Sequence, residues 1–435
     1  MRPACHCDLA SINLSNHIEL SIYQAQRHPA VRTLGRRSLL LAAVTVLAYA
    51  LLLVPMEAAS RFDLSVFVVA GDHFVNVARL PAYIIVLQDA IGYDGQFFYR
   101  FALNPWNAAP TAFGIALDNP VQRMQRILYP VLAWLFSAGR APLVPASLLF
   151  INLAGLGAIA ATAAWLVRRR DLAWWLPFAI VLWPGFLVTL TRDTAEIVTT
   201  VLLLAALACD LSGRLLPYCV LAAAAALTRE TTIPVLLGVV VAEACSTANT
   251  TVSRLRRAVL CAVPLVPFGI WRLIVSAAFH QSPLSTGNNI DIGWPLLGVL
   301  AALRDNLDGI TAWAAEPDVD LVIRVFVVAT MCGIVGFCFL VATQIPRIAR
   351  IPAHRGVAIG WTLTLALASL LTARGPWIEP PAYFRAFTEC YVDGCVLLAL
   401  APPQHIRGRL VAWAAAVAAA EVSAFNWLWC SGWLS

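Results

Sequence analysis

Residues 143–170, LVPASLLFINLAGLGAIAATAAWLVRRR, decide the fold. The run from Leu143 to Val167 carries no charged side chain and is longer than the roughly 20 residues a helix needs to cross a hydrocarbon core about 30 Å thick. It stops at Arg168-Arg169-Arg170. Arginine collects in the cytoplasmic loops of membrane proteins, so this triplet marks the inner side.

The rest of the chain repeats the pattern. Of its 435 residues, 60% are hydrophobic and 12% charged, against about 25% charged in an ordinary soluble domain. Mean hydropathy is +0.76, which leaves no room for a large water-soluble domain. The formal net charge is +6, and every basic residue is Arg, none Lys. An all-Arg basic set reflects genome composition as much as physics, so that charge is not read as nucleic-acid binding; the positions of the arginines carry the information, because cytoplasmic loops are enriched in them. The 11 cysteines are mostly single residues within apolar runs, not a disulfide framework, and Cys5-His6-Cys7 has no second ligand pair nearby.

In chain order, residues 1–37 read as a cytoplasmic tail and 38–435 as one polytopic transmembrane domain. Ser38 to Pro55 is an uncleaved anchor with its N-terminus inside. Residues 57–126 form a first extracytoplasmic loop too long for a simple connection, holding Asp63, Asp72, His73, Asp89, Asp94 and Asp118. Ile127–Ala138 is too short to span and reads as an interfacial helix. Trp174–Leu190 and Ile197–Leu211 then go out and back. Leu215–Leu227 and Ile233–Val241, short stretches meeting at Thr228–Thr232, read as a hairpin with a protein-enclosed tip. Ala258–Ala278 crosses outward, residues 280–320 make a second outside loop, and Leu321–Thr343, Val357–Leu371, Ala386–Ala401 and Leu410–Trp433 complete an all-α bundle of about eleven transmembrane helices. The clusters Arg168–Arg170, Arg254–Arg257 and Arg347–Arg350 agree on one orientation.

Candidate chemistry gathers on the outer side. Gly92-Tyr93-Asp94-Gly95-Gln96-Phe97-Phe98-Tyr99-Arg100 places a carboxylate between glycines, followed by aromatics suited to an interface. Asp94 suits a general base or a metal ligand, and equally a cap for the following helix. Asp72, beside His73, is a second candidate base. Arg192-Asp193 and Arg229-Glu230 lie at helix ends. Glu196, one turn after Arg192, reads as its partner along one helix, worth a few tenths of a kcal/mol. The neighbours Arg229 and Glu230 share no helix face and must find other partners.

Tyr93-Asp94-Gly95-Gln96 in the first outside loop, followed by Arg126-Ile127-Leu128-Tyr129-Pro130, resembles the bacterial polytopic glycosyltransferases of the GT-C type. It is similar in layout to the GPI-mannosyltransferase branch, with Tyr where that branch has Trp before the Asp and Leu128 in place of a second Pro. Thr228-Arg229-Glu230-Thr231 looks like an Arg-containing hairpin of those proteins, and Tyr383-Phe384-Arg385 like a late Tyr-x-Arg. The resemblance implies transfer of a sugar, with inversion, from a polyprenyl-phosphate donor to a glycan, lipid or protein acceptor at the outer face of the bacterial inner membrane. Asp94, or Asp72 in second place, would serve as base; Tyr93, Gln96, Arg126, Tyr129, Arg192, Arg229, Glu230, Tyr383 and Arg385 would line the site. A phosphate leaving group needs little beyond Arg, so no metal or other cofactor is required. Membrane lipids are the other expected partner. A transporter or flippase of a lipid-linked glycan would instead carry polar residues along helix centres, and a non-catalytic envelope scaffold would tolerate loss of Asp94.

Overall fold

The computed structural model describes residues 35–168, 176–246, 250–282, 292–312, 319–371, 376–377 and 380–401. Helices dominate. The first, α1 (Arg36–Ala59), follows the expected anchor and extends it at both ends. Residues 60–127 then form a compact cap built from short 3-10 turns, two-residue strands and the helices α2 (Gly95–Leu103) and α3 (Pro120–Met124). Local polar residues shape it: Asp63 and Asn76 each accept a backbone N–H two residues on, and Asn119 caps α3 by accepting from the Gln122 N–H, with Pro120 at the first helical position.

The segment expected at the interface is α4 (Leu128–Phe136), which packs on α2 and on α5 (Val144–Arg168). The run expected as one span from Trp174 to Leu190 is instead broken into α6 (Leu176–Val181) and α7 (Pro184–Leu190). Proline is the reason: the residue before it, Trp183, is driven to extended backbone (ψ 122). Next come α8 (Glu196–Leu211), α9 (Leu215–Thr228), α10 (Ile233–Ala244), α11 (Thr251–Ala262) and α12 (Leu265–Ala278). The pair α11/α12 replaces the single expected span Ala258–Ala278 and bends by 42° at the Val263-Pro264 junction. The second outside loop also departs from expectation, because it contains α13 (Leu297–Ala312). The described chain finishes with α14 (Val319–Ala342), α15 (Ile345–Ile348), α16 (Arg355–Ser369), α17 (Pro380–Ala386) and α18 (Thr388–Leu400). The expected span Leu410–Trp433 and the Cys5-His6-Cys7 tail lie outside the described residues.

Three helical stretches are long and apolar enough to cross a membrane, Arg36–Ala59, Ala141–Arg168 and Val327–Ile348, or four with the bent pair. The expected count of eleven is not reached among the described residues. The reason is length: α8, α9, α10, α16 and α18 have 16, 14, 12, 15 and 13 residues. At 1.5 Å per residue they rise about 18–24 Å, short of a hydrocarbon core about 30 Å thick.

Arg168 at the end of α5 donates to Ser38 Oγ at the start of α1 (2.8 Å), so the basic ends of these two helices meet. Close backbone contact joins α10 to α16: a Cβ added at Gly238 would lie 2.2 Å from the Gly360 backbone nitrogen, and one at Gly360 2.7 Å from the Val235 Cα. Small residues there let the two backbones approach as they do in packed membrane helices. α18 belongs to the main core, and every one of its residues is buried.

Candidate functional site

Asp94 stands at the first turn of α2, in the N-cap position, yet its side chain makes no capping bond. The capping reading fails because the carboxylate has stronger partners. Oδ1 accepts from Arg123 Nη1 at 2.7 Å and Oδ2 from Arg385 Nη2 at 2.9 Å, across 29 and 291 residues of chain. Gly95 makes this position accessible. A Cβ there would lie 2.4 Å from the Arg192 carbonyl oxygen and 2.7 Å from that of Val68, so the close approach is to the protein's own backbone, not to a ligand.

From Asp94 the charges alternate in both directions. Outward, Arg123 grips Asp118 through Nε (2.8 Å) and Nη2 (2.6 Å) while lying over the Phe97 ring. Inward, Arg385 Nε donates to Glu196 Oε1 at 2.7 Å. The same oxygen lies 3.5 Å from Arg229 Nη1, which donates to Glu389 Oε1 at 3.0 Å; Thr231 Oγ donates to that oxygen at 2.8 Å. Side-chain exposure falls from 27% at Asp118 and 20% at Asp94 to 0% at Glu196 and 1% at Glu389, so the ladder runs from solvent into the core. A separate bidentate pair joins Arg126 to Glu230 (3.0 and 2.5 Å) at the same end.

Tyr93 supplies an aromatic floor, its ring 5.0 Å from the guanidinium carbons of both Arg192 and Arg385. Burial alone would raise the Asp94 carboxyl, but Arg123, Arg385 and Arg126 outweigh it and hold it well below the usual carboxylate range. An acid so held is ionised at neutral pH and a weak base for as long as both guanidinium groups stay on it.

The structure thus brings together Tyr93, Asp94, Arg126, Arg192, Arg229, Glu230 and Arg385. Three candidates are buried beside the site with their polar atoms engaged by protein. Gln96 accepts from the Gly71 N–H and donates to the Ile91 carbonyl; Tyr129 donates to the Leu148 carbonyl and accepts from Asn152; the Tyr383 hydroxyl is 2.6 Å from Thr330 Oγ1. These bonds fix the three side chains in place beside the site. Asp72 is spent on its own loop, where it accepts from the Asp89 and Ala90 N–H groups; those backbone bonds hold it below its ordinary value. It takes no part in the ladder.

The expected Arg192–Glu196 pair does not form. Asp193 adopts a left-handed φ of 44° and α8 begins only at Glu196, so Arg192 lies outside the helix whose face it was to share. Glu196 goes to Arg385 and Arg229 instead. From the sequence Arg123 is legible only as one of the arginines scattered over the outer side, and Glu389 carries no expectation. Arg123, three residues before Arg126 in a capped helix, left a readable signal; Glu389 is one acid in an apolar run. Arg385 itself is placed by aromatic packing: Trp183 donates to the Phe384 carbonyl and Thr388 Oγ1, and stacks on Tyr391 at 4.2 Å.

No family model matches the chain, and no curated protein or solved structure matches it either.

Proposed function

We propose that the protein is a membrane-embedded glycosyltransferase that moves a sugar from a polyprenyl-phosphate donor to an envelope glycan, lipid or protein acceptor at the extracytoplasmic face, with about eleven spans in the whole chain. The observation that supports this reading is Asp94 held between Arg123 and Arg385 at the open end of the ladder. Guanidinium forks that grip a carboxylate also match a phosphate oxygen pair. An incoming donor phosphate takes Arg123 and Arg385; Asp94, released from both cations, regains proton affinity. It then accepts the proton of the acceptor hydroxyl as that oxygen attacks the anomeric carbon and the C–O bond to phosphate breaks. The arginines hold the departing polyprenyl phosphate.

The test is incubation of purified protein in lipid with candidate polyprenyl-phosphate sugars and acceptors. Labelled sugar in the acceptor supports the reading, and its absence across the donor panel, with folded protein, overturns it. One observation favours a second reading, transport of a lipid-linked glycan: Glu196, Glu389 and Asp393 are fully buried acids of the kind a translocation path requires. Transfer without movement of donor between leaflets separates the two.

A further inference from the structure

Beyond the ladder, α18 carries a second acid that the transferase reading does not use. Asp393 lies one turn after Glu389 and is 0% exposed, on a helix buried throughout. Residues four apart on a helix lie on one face with Cβ atoms about 5–6 Å apart. Both Asp393 oxygens lack a hydrogen-bond partner, and so does Glu389 Oε2; Arg229 and Thr231 both sit on Oε1. Three bare acid oxygens therefore belong to one face of α18, a helix buried along its whole length. Glu389 has Arg229 on Oε1, but Asp393 has no partner on either oxygen, and an uncompensated desolvated ion is expensive, several kcal/mol as an order of magnitude.

The neighbouring elements pair no cation with Asp393; Arg385 of α17, which packs on α18, is taken by Glu196 and Asp94. On α18 itself the other titratable groups are Cys390, Tyr391 and Cys395, and α14 presents the buried Cys338. Tyr391 donates to the Ala179 carbonyl of α6, and Trp361 of α16 donates to the Cys390 carbonyl. From α8 comes Glu196, and from the α9–α10 turn Arg229, which is already shared between Glu196 and Glu389. At the start of α16, Arg355 donates to the Ala349 carbonyl and His354, the residue just before the helix, is buried; Arg347 of α15 donates to Gln344. Among the described residues, no Arg or His is ion-paired with Asp393.

We propose that Glu389 and Asp393 share one bound proton in the closed core, Asp393 carrying it as a neutral acid whose hydroxyl donates to Glu389 Oε2. One proton removes one of the two negative charges and gives the bare Glu389 oxygen its donor. A sodium ion fits less well, since hard cations gather several oxygen ligands and the bare side-chain oxygens here are three, all from two acids. The site makes the inner end of the ladder proton-sensitive: loss of the proton adds a charge beside Glu389 and draws Arg229 away from Glu196.

Infrared spectroscopy of the full chain in lipid tests this without reference to sugar transfer. At pH 7 the unmodified protein should show an un-ionised carboxyl stretch that shifts in D2O. Asp393→Asn should delete one carboxyl's share of that band, and Glu389→Gln should keep the band and move its frequency. Where Asp393→Asn does not fold, Asp393→Glu serves, because it keeps the acid and moves the band. An un-ionised band absent at pH 7, or unchanged in amplitude and position by the Asp393 variants, overturns the proposal. So does a melting temperature that rises with sodium over choline in the unmodified protein and not in the Asp393 variant.

Discussion

Asp94 is defined by what holds it. Its two oxygens go to different guanidinium groups, each of which keeps a second carboxylate, Asp118 for Arg123 and Glu196 for Arg385. Asp94→Asn therefore leaves both arginines with a counter-ion, and we expect a folded protein whose transfer rate drops about 10²–10⁴-fold, the usual effect of a lost base. Full activity in the folded variant removes Asp94 from the chemistry. The same variant reports on pH. Because the folded carboxyl is held low, its contribution to stability is fully present above the unfolded value of about 4 and is lost as pH falls toward the folded one. The melting-temperature gap between unmodified protein and Asp94→Asn should stay level from neutral pH to about 5 and narrow below about 4. A gap that widens on acidification contradicts the ion pairing. Arg385→Lys tests geometry at constant charge, since one ammonium does not span Glu196 Oε1 and Asp94 Oδ2 as the planar fork does. Its rate curve should move to higher donor concentration. Arg229→Lys, one rung deeper, should shift the curve less, and an order reversed between the two variants argues against donor phosphate on Arg385.

At the scale of elements, the short helices position these side chains by packing against one another, with no single helix able to hold the site alone. The α10/α16 contact is the tightest case. A Cβ at Gly360 would lie 2.7 Å from the Val235 Cα and 2.9 Å from its carbonyl oxygen, both backbone atoms that yield only if a helix moves. Gly238→Ala and Gly360→Ala should each lower thermal stability, by about 1–3 kcal/mol as for other overpacked positions. Gly336 in α14 has nothing within 4 Å of the added Cβ. Gly336→Ala should be neutral or stabilising by up to about 1 kcal/mol from helix propensity. Thermal unfolding in one lipid or detergent compares all three; equal effects at Gly336 and Gly360 would show that propensity, and not backbone contact, sets the outcome.

For the whole molecule, one end collects Asp94, Arg126, Arg229 and Arg385, while the basic ends of α1 and α5 meet elsewhere through Arg168 and Ser38. If the membrane lies across the bundle, an exposed cap residue and an exposed residue of α11 fall on opposite sides. In a cysteine-free background, Ala78→Cys should react with an impermeant thiol reagent added to intact cells and Val252→Cys should not. Equal labelling of the two positions rules out the orientation.

The sequence by itself determined the helical class, the long apolar helices α1, α5 and α14, and which polar segments share an end. Each of those follows from local facts: the length of an apolar run, an arginine cluster, a proline or a cap. Breaks at Pro184 and Pro264 were visible as residues and were read through, because an apolar run of the right total length hides a bend. Only the tertiary structure decided the partners. Glu196 is reached by Arg385 across 189 residues and Glu389 by Arg229 across 160. An exposed i,i+4 pair is worth a few tenths of a kcal/mol, whereas a charge left unpaired in a closed core is penalised by several. Packing that encloses Glu196 therefore overrides its nearest sequence neighbour and sets it between the arginines that fold beside it.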